Sequence, residues 1–155
     1  MGTRSIISVD KKTELGIYKN SDGYPSSTIP SILTYITIFG FIAFKKEIQR
    51  IAEKGGCSSF YYVHVIKEDE YKNSFEVMLR TKQLSTDTFE ANFNMENVKS
   101  HEYGYLVSNN EIIIYHHGDL EKIIKFSTKM LKKLIIEGIF RNDIEKPFIK
   151  KFKLK

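Results

Sequence analysis

The spacing of hydrophobic and polar positions predicts three β-hairpins. Short β-branched or alternating segments come in pairs, and each pair is separated by polar or turn-forming residues. In the third pair the separator is Ser108-Asn109-Asn110, and Asn tolerates the left-handed backbone of a tight turn. The predicted pairs are residues 3–9 with 14–19, residues 59–66 with 74–81, and residues 102–107 with 111–116.

Two longer segments have the apolar spacing of helices. The first predicted helix has Ser27 or Thr28 as its N-cap and runs to about Lys54. The second has Asp119 as its N-cap and runs to about Gly138, with one apolar stripe along it. Together these elements predict an α+β fold. In it, a mostly antiparallel sheet is built from three hairpins, and two main helices pack on one face.

Length and composition predict one folded domain. The chain has 155 residues, of which 41% are hydrophobic and 28% are charged, so it has the composition of a globular protein and not of a disordered one. We expect a single domain over residues 1–155. Residues 139–155 form a basic tail, and we expect it to dock on the domain because it carries the apolar residues Phe140, Ile144, Phe148, Ile149, Phe152 and Leu154.

The longest uncharged segment predicts a buried helix and not a membrane span. Residues 23–44 have no charged side chain, but the densely apolar part is only residues 35–44, and a bilayer requires about 20 apolar residues. The first residues lack the apolar region of a signal peptide. Cys57 is the single cysteine, which excludes a disulfide within the chain and favours a reducing compartment. We therefore expect a cytoplasmic protein with no membrane partner.

The positive charge is concentrated in the last quarter of the chain. Residues 119–155 contain 11 Lys and Arg against 5 Asp and Glu, whereas residues 1–118 contain 13 against 14. This excess indicates either a solvated helix face with a basic tail, or a surface for a polyanion or an acidic protein. The basic-face candidates are Lys129, Lys132, Lys133, Lys150, Lys151 and Lys153.

Two parts of the chain, about residues 2–25 and 101–116, contain the motifs of a family resemblance. The matching segments are Met1-Gly2-Thr3-Arg4-Ser5-Ile6-Ile7, Ile17-Tyr18, Asp22-Gly23-Tyr24-Pro25 and Glu102-Tyr103-Gly104-Tyr105. They resemble a family of small, mostly uncharacterised proteins of phages, prophages and bacteria, which begin with a Met-Gly-Thr-Arg-Ser strand and continue into an Asp-Gly-Tyr turn. The resemblance implies a phage-type context and a shared fold, and no particular reaction.

The Asp-Gly-Tyr-Pro turn has two interpretations. It is either architecture between a strand and a helix, with Arg4 and Asp22 forming a structural ion pair, or part of a binding cleft. The cleft candidates are Arg4, Tyr18, Asp22 and Tyr24. His116 and His117 are adjacent on a predicted strand and would point to opposite faces, so we predict no metal site. No cofactor motif is present, and we expect no cofactor.

Three functional hypotheses follow. The first is a non-catalytic binding protein of phage type in the bacterial cytoplasm, which inhibits a host defence system such as CRISPR–Cas by binding a host protein or ribonucleoprotein. The second is a nucleic-acid-binding protein. The third is a small enzyme acting on a phosphate-containing ligand, in which Arg4, Asp22, Tyr24 and His116 meet in one pocket. The sequence does not specify the oligomeric state.

Overall fold

The computed structural model has an α+β fold, as predicted. The residues that it describes are 3–9, 15–19, 23–54, 58–65, 79–86, 88–92, 102–143 and 145–155. The strands are β1 (Ser5–Val9), β2 (Leu15–Lys19), β3 (Ser58–Val65), β4 (Leu79–Thr86), β5 (Thr88–Asn92), β6 (Tyr103–Val107), β7 (Glu111–His116) and β8 (Asp119–Lys125). The helices are α1 (Pro25–Phe39), α2 (Phe41–Lys54), α3 (Thr128–Arg141) and α4 (Glu145–Phe152).

The main sheet is mixed, so the prediction of a mostly antiparallel sheet built from three hairpins is wrong. Its six strands lie in the order β5-β2-β1-β6-β7-β8, and β3 and β4 form a separate two-stranded sheet. The β1–β2 and β6–β7 hairpins form as predicted. However, β1 also pairs in parallel with β6, with Ser5 opposite Tyr103. This pairing joins segments far apart in sequence, which local patterns do not reveal.

The segment after β7 is a strand and not the start of a helix. His117 (φ 51°) and Gly118 (φ 88°) form a two-residue turn with positive φ at both positions, which suits a tight hairpin. Asp119 is therefore the first residue of β8, which pairs antiparallel with β7, and not a helix N-cap. The helix begins only at α3, where Ser127 is the N-cap and its side chain accepts a hydrogen bond from the Met130 amide at 3.2 Å.

The first predicted helix is broken into two. α1 begins at Pro25 with Tyr24 as its N-cap, and neither Ser27 nor Thr28 has that position. It ends at Gly40, whose φ of 90° and ψ of 160° suit glycine and stop the helix. Within the described residues no single helix has the length and apolar content for a membrane crossing. α1 and Phe41–Gln49 reach both only as a pair, and that pair is bent by 117°.

The helices pack on one face of the main sheet. That face carries Ile7 and Tyr105, and the same hydrophobic cluster includes buried residues from each helix of the described chain. These helical residues include Ile29 in α1, Phe44 in α2, Ile135 in α3 and Phe148 in α4. Four helices are thus present in the described residues, where the sequence predicted two main helices. The predicted tail, residues 139–155, contains the end of α3 and all of α4.

Candidate functional site

Gly23, in the Asp-Gly-Tyr-Pro turn between two of the cleft candidates, is buried and tightly packed. Its amide donates a hydrogen bond to the Thr3 carbonyl at 2.9 Å, and its carbonyl accepts one from the Tyr105 hydroxyl at 2.6 Å. A Cβ at Gly23 would lie 2.8 Å from the Ser5 Cβ and 2.9 Å from the backbone carbon of Arg4, so only glycine fits here. The turn is thereby attached to the segment that leads into β1 on one side and to β6 on the other.

The buried phenol of Tyr105 links the turn at Gly23 to β6. Tyr105 is fully buried, and its hydroxyl also hydrogen-bonds the side chain of Thr28 in α1. Burial raises the pKa of Tyr105 well above its ordinary value, because a phenolate would lose its hydration. The hydroxyl therefore stays protonated as the donor to Gly23, and this arrangement is structural.

The other cleft candidates do not form a described pocket around this turn. Arg4 and Tyr24 are exposed. The side chain of Tyr18 and all of Asp22 lie outside the described residues, so the Arg4–Asp22 ion pair stays a prediction. His116 is on the helix-covered face of the sheet, where its ring stacks on Tyr103 with 4.5 Å between centroids.

His116 and His117 lie closer together than the strand argument predicts. Their ring centroids are 4.4 Å apart, because His117 is in the turn with positive φ and does not continue the strand. His116 Nδ1 is 4.0 Å from Glu121 Oε1. Burial, together with the carboxylates of Glu121 and Glu102, raises the pKa of the Tyr103 phenol. Among the described residues, no group of three or more His, Cys, Asp or Glu is placed to hold a metal ion.

The helices α3 and α4 border a cavity, widely open to solvent, that brings together three of the predicted lysines. Its volume is about 440 Å³. We call it the lysine cavity, and its lining residues are Ser127, Lys129, Met130, Lys133, Leu134 and Lys151. Lys129 and Lys133 are one turn apart on α3, and α4 contributes Lys151. Helical spacing and the docking of α4 on α3 therefore create the cluster.

The lysine cavity is positively charged. Among the described residues, its lining includes no carboxylate. Lys129, Lys133 and Lys151 are exposed, and in the described part of the chain none of them forms an ion pair. Three ammonium groups with an apolar floor of Met130 and Leu134 can bind an anionic group and contact an apolar part next to it.

The other three basic-face candidates lie apart from the lysine cavity. Lys132 is half-buried, and Lys150 is exposed on α4 without lining the cavity. Lys153 lines a second cavity, of about 340 Å³, which we call the C-terminal cavity. The residues that line it are Pro25, Ile114, Glu121, Lys122, Lys153, Leu154 and Lys155. The six candidates thus divide between different surfaces.

Lys122 in the C-terminal cavity has a structural role. Its ammonium group donates to the carbonyls of Phe152 at 2.7 Å and Lys153 at 3.0 Å, which are at the end of α4. A cation at this position satisfies carbonyls that have no partner within the helix and interacts favourably with the helix dipole. Glu121 adds a negative charge to the lining. This cavity is therefore less suited to an anion than the lysine cavity.

Sequence reasoning missed Ser127 and Lys122. A sequence signal for Ser127 was present, because serine before an apolar-periodic segment is a typical N-cap, but Asp119 was preferred. No local signal identifies Lys122, because its acceptors are about 30 residues away. The lysine cavity depends on the packing of α4 against α3, and local sequence patterns do not predict that packing.

The comparisons with known proteins give no relative. No protein-family model, curated protein or solved structure matches this chain.

Proposed function

We propose that this protein is a non-catalytic binding protein that attaches to an anionic surface of its partner through the lysine cavity. The observation that carries this proposal is the convergence of Lys129, Lys133 and Lys151 from two helices, with no carboxylate among the described residues of the lining. Positive clusters in concave sites raise the local concentration of an anionic partner and speed its association. Only these three of the six candidate lysines form the proposed contact.

The family resemblance supports a partner in an infected bacterial cell. On that basis the partner is a host protein or ribonucleoprotein in the cytoplasm, and the protein is an inhibitor of a defence system such as CRISPR–Cas. The fixed position of α4 supports binding without a large rearrangement, because Phe148 and Leu154 anchor α4 and the chain end in the core. Lys151 of α4 is thus held next to Lys129 and Lys133 of α3.

A charge-reversal experiment tests the proposal. The variant K129E/K133E/K151E is compared with K46E/K125E/K146E, which changes the net charge equally at exposed lysines outside the cavity. Each protein is immobilised and used to capture partners from a bacterial lysate. We expect partners of the wild type to be retained by the control variant and lost by the cavity variant. Equal capture by both variants, or equal loss in both, contradicts the proposal.

The same capture is repeated after nuclease treatment of the lysate. A partner that persists is held by protein contacts, and a partner that is lost is held through nucleic acid. Both results are compatible with an anionic partner, so this step identifies which kind it is.

A further inference from the structure

The positive charge at the start of α3 is placed against helix stability. Lys129 is the second residue of the helix, where the macrodipole favours negative charge, and the first turn has no acidic residue. Lys133 follows four residues later, and like charges at this spacing repel. Glu137 lies one turn after Lys133, but its carboxylate pairs with Arg141 at 3.2 Å, and the described lining of the cavity includes no carboxylate. The arrangement therefore reduces the stability of α3.

The other end of the same helix follows the stability rules. Arg141 is in the last turn, where a cation is favourable, and its Nε is 3.2 Å from Glu137 Oε1 in the preceding turn. One helix thus has a favourable charge arrangement at its C-terminus and an unfavourable one at its N-terminus. Local departures from the stability rules are expected where a surface serves binding.

The chemistry of the cavity favours a phosphate over a carboxylate. Lysine ammonium groups are compact charges that suit phosphate oxygens from several directions. Paired recognition of a carboxylate favours arginine, and the described part of the lining has none. The Ser127 hydroxyl adds a polar group to the lining. Beside these groups, Met130 and Leu134 offer apolar contact for a sugar. The cavity volume lies within the ~300–1,000 Å³ range of ligand sites.

We infer that the lysine cavity binds the phosphodiester backbone of a nucleic-acid strand, with Lys129, Lys133 and Lys151 contacting phosphates. This inference rests on the proposed function and narrows it, because it makes nucleic acid, free or within a ribonucleoprotein, the part of the partner that is contacted.

Salt dependence tests the inference directly. Binding of labelled 20-nucleotide single-stranded RNA and DNA is measured by fluorescence anisotropy between 50 and 200 mM NaCl. For three phosphate contacts the slope of log affinity against log salt is about −2, so the affinity falls about 20-fold over this range. K133Q should reduce the slope to about −1.4. The matched variant K146Q, on an exposed lysine outside the cavity, should leave it unchanged. Equal slopes for RNA and DNA indicate that the cavity contacts the phosphodiester backbone, which both share. A slope near zero overturns the inference.

Poly-glutamate of equal charge separates this inference from the proposed function. If it competes as strongly as the RNA, the site recognises negative charge alone; the phosphate inference is then overturned and the proposed function stands. If neither polymer binds, and lysate capture is also unaffected by the cavity variant, both proposals are overturned. Strong RNA binding with weak poly-glutamate competition supports the inference.

K129E gives changes of opposite sign in stability and binding. A glutamate here is favourable at the helix N-terminus and forms a favourable pair with Lys133. We expect its Tm to rise by about 2 °C while its RNA affinity falls about tenfold or more. A purely structural role would not produce both changes. An affinity within twofold of the wild type, or a Tm at or below that of the wild type, overturns the inference.

Discussion

The two regions predicted as sites differ in whether their polar groups are bonded within the fold. At the Asp-Gly-Tyr-Pro turn, the two backbone groups of Gly23 are bonded to Thr3 and Tyr105, and the space for a side chain is filled. At the lysine cavity, three exposed ammonium groups have no ion-pair partner in the described part of the chain. The structural contacts of Gly23 account for its presence in the turn. The contacts of the three lysines do not account for theirs, so a role in binding is the explanation we consider.

The two lysine-lined cavities show the same contrast within one residue type. The ammonium group of Lys122 is engaged by the carbonyls of Phe152 and Lys153, so this residue stabilises the end of α4. The three lysines of the lysine cavity have no such acceptor among the described residues. Charge counted from the sequence treats these residues as equal, and only the contacts separate them.

The largest effect is expected for Gly23→Ala. The new Cβ would meet the Ser5 side chain and the Arg4 backbone at less than 3.0 Å, so β1 or the turn must move. We expect a loss of about 3 kcal/mol in the free energy of unfolding, measured by urea denaturation. Tyr24→Ala in the same turn is the control and should cost about 1 kcal/mol or less, because 38% of Tyr24 is exposed and its removal forces no contact. A fully stable G23A would remove the structural explanation of the turn.

A smaller effect is expected for Tyr105→Phe. This change removes the donor to the Gly23 carbonyl and leaves that carbonyl without its partner, which costs about 2 kcal/mol. Tyr24→Phe is the matched control and should leave stability nearly unchanged. If Y105F has the stability of the wild type, the hydrogen bond is not what attaches the turn to β6.

The pH dependence of stability gives a second measurement on the same variant. Because burial raises the pKa of Tyr105, its phenol ionises near pH 10 in the unfolded chain and stays protonated at that pH in the folded protein. The stabilisation is fully present below pH 10 and is lost as the pH rises above it. We expect the alkaline decrease of the wild type to be shallower in Y105F. Equal decreases in both proteins would contradict this role of Tyr105.

The smallest effect is expected for Lys122→Met, and it sharpens the comparison between lysines. The methionine keeps the apolar stem and removes the two hydrogen bonds to the end of α4, so we expect a loss of about 1 kcal/mol. The same substitution at Lys133 should change stability by no more than about 0.5 kcal/mol. Thermal unfolding of both variants measures the difference. Equal effects would mean that the contacts do not distinguish the two lysines.

Local patterns predicted the parts of the fold that depend on neighbouring residues. The β1–β2 and β6–β7 hairpins were predicted because their strands and turns are continuous in sequence. Asp119 was misassigned because Leu120, Ile123 and Ile124 fit a helical stripe, whereas the two-residue turn at His117 and Gly118 forces a hairpin. The parallel β1–β6 pairing has no local signal.

The candidate site was only partly predictable for the same reason. The sequence showed that the last quarter of the chain is basic, but the choice among its lysines depends on how α4 lies against α3. Phe148 and Leu154 in the core fix that placement, and it brings Lys151 together with the lysines of α3. The acceptors of Lys122 come from the same placement.

The parallel pairing of β1 with β6 sets an order of events during synthesis. β1 is buried at each of its five residues, yet the strand opposite Ser5 begins only at Tyr103. At about 5–20 residues per second, the ribosome needs roughly 5 to 20 s to supply that neighbour. Until then the N-terminal hairpin presents an apolar, unpaired edge to the cell. A ribosome-bound chain that stops before Tyr103 should therefore engage a chaperone, and one extended past the release of β6 should not.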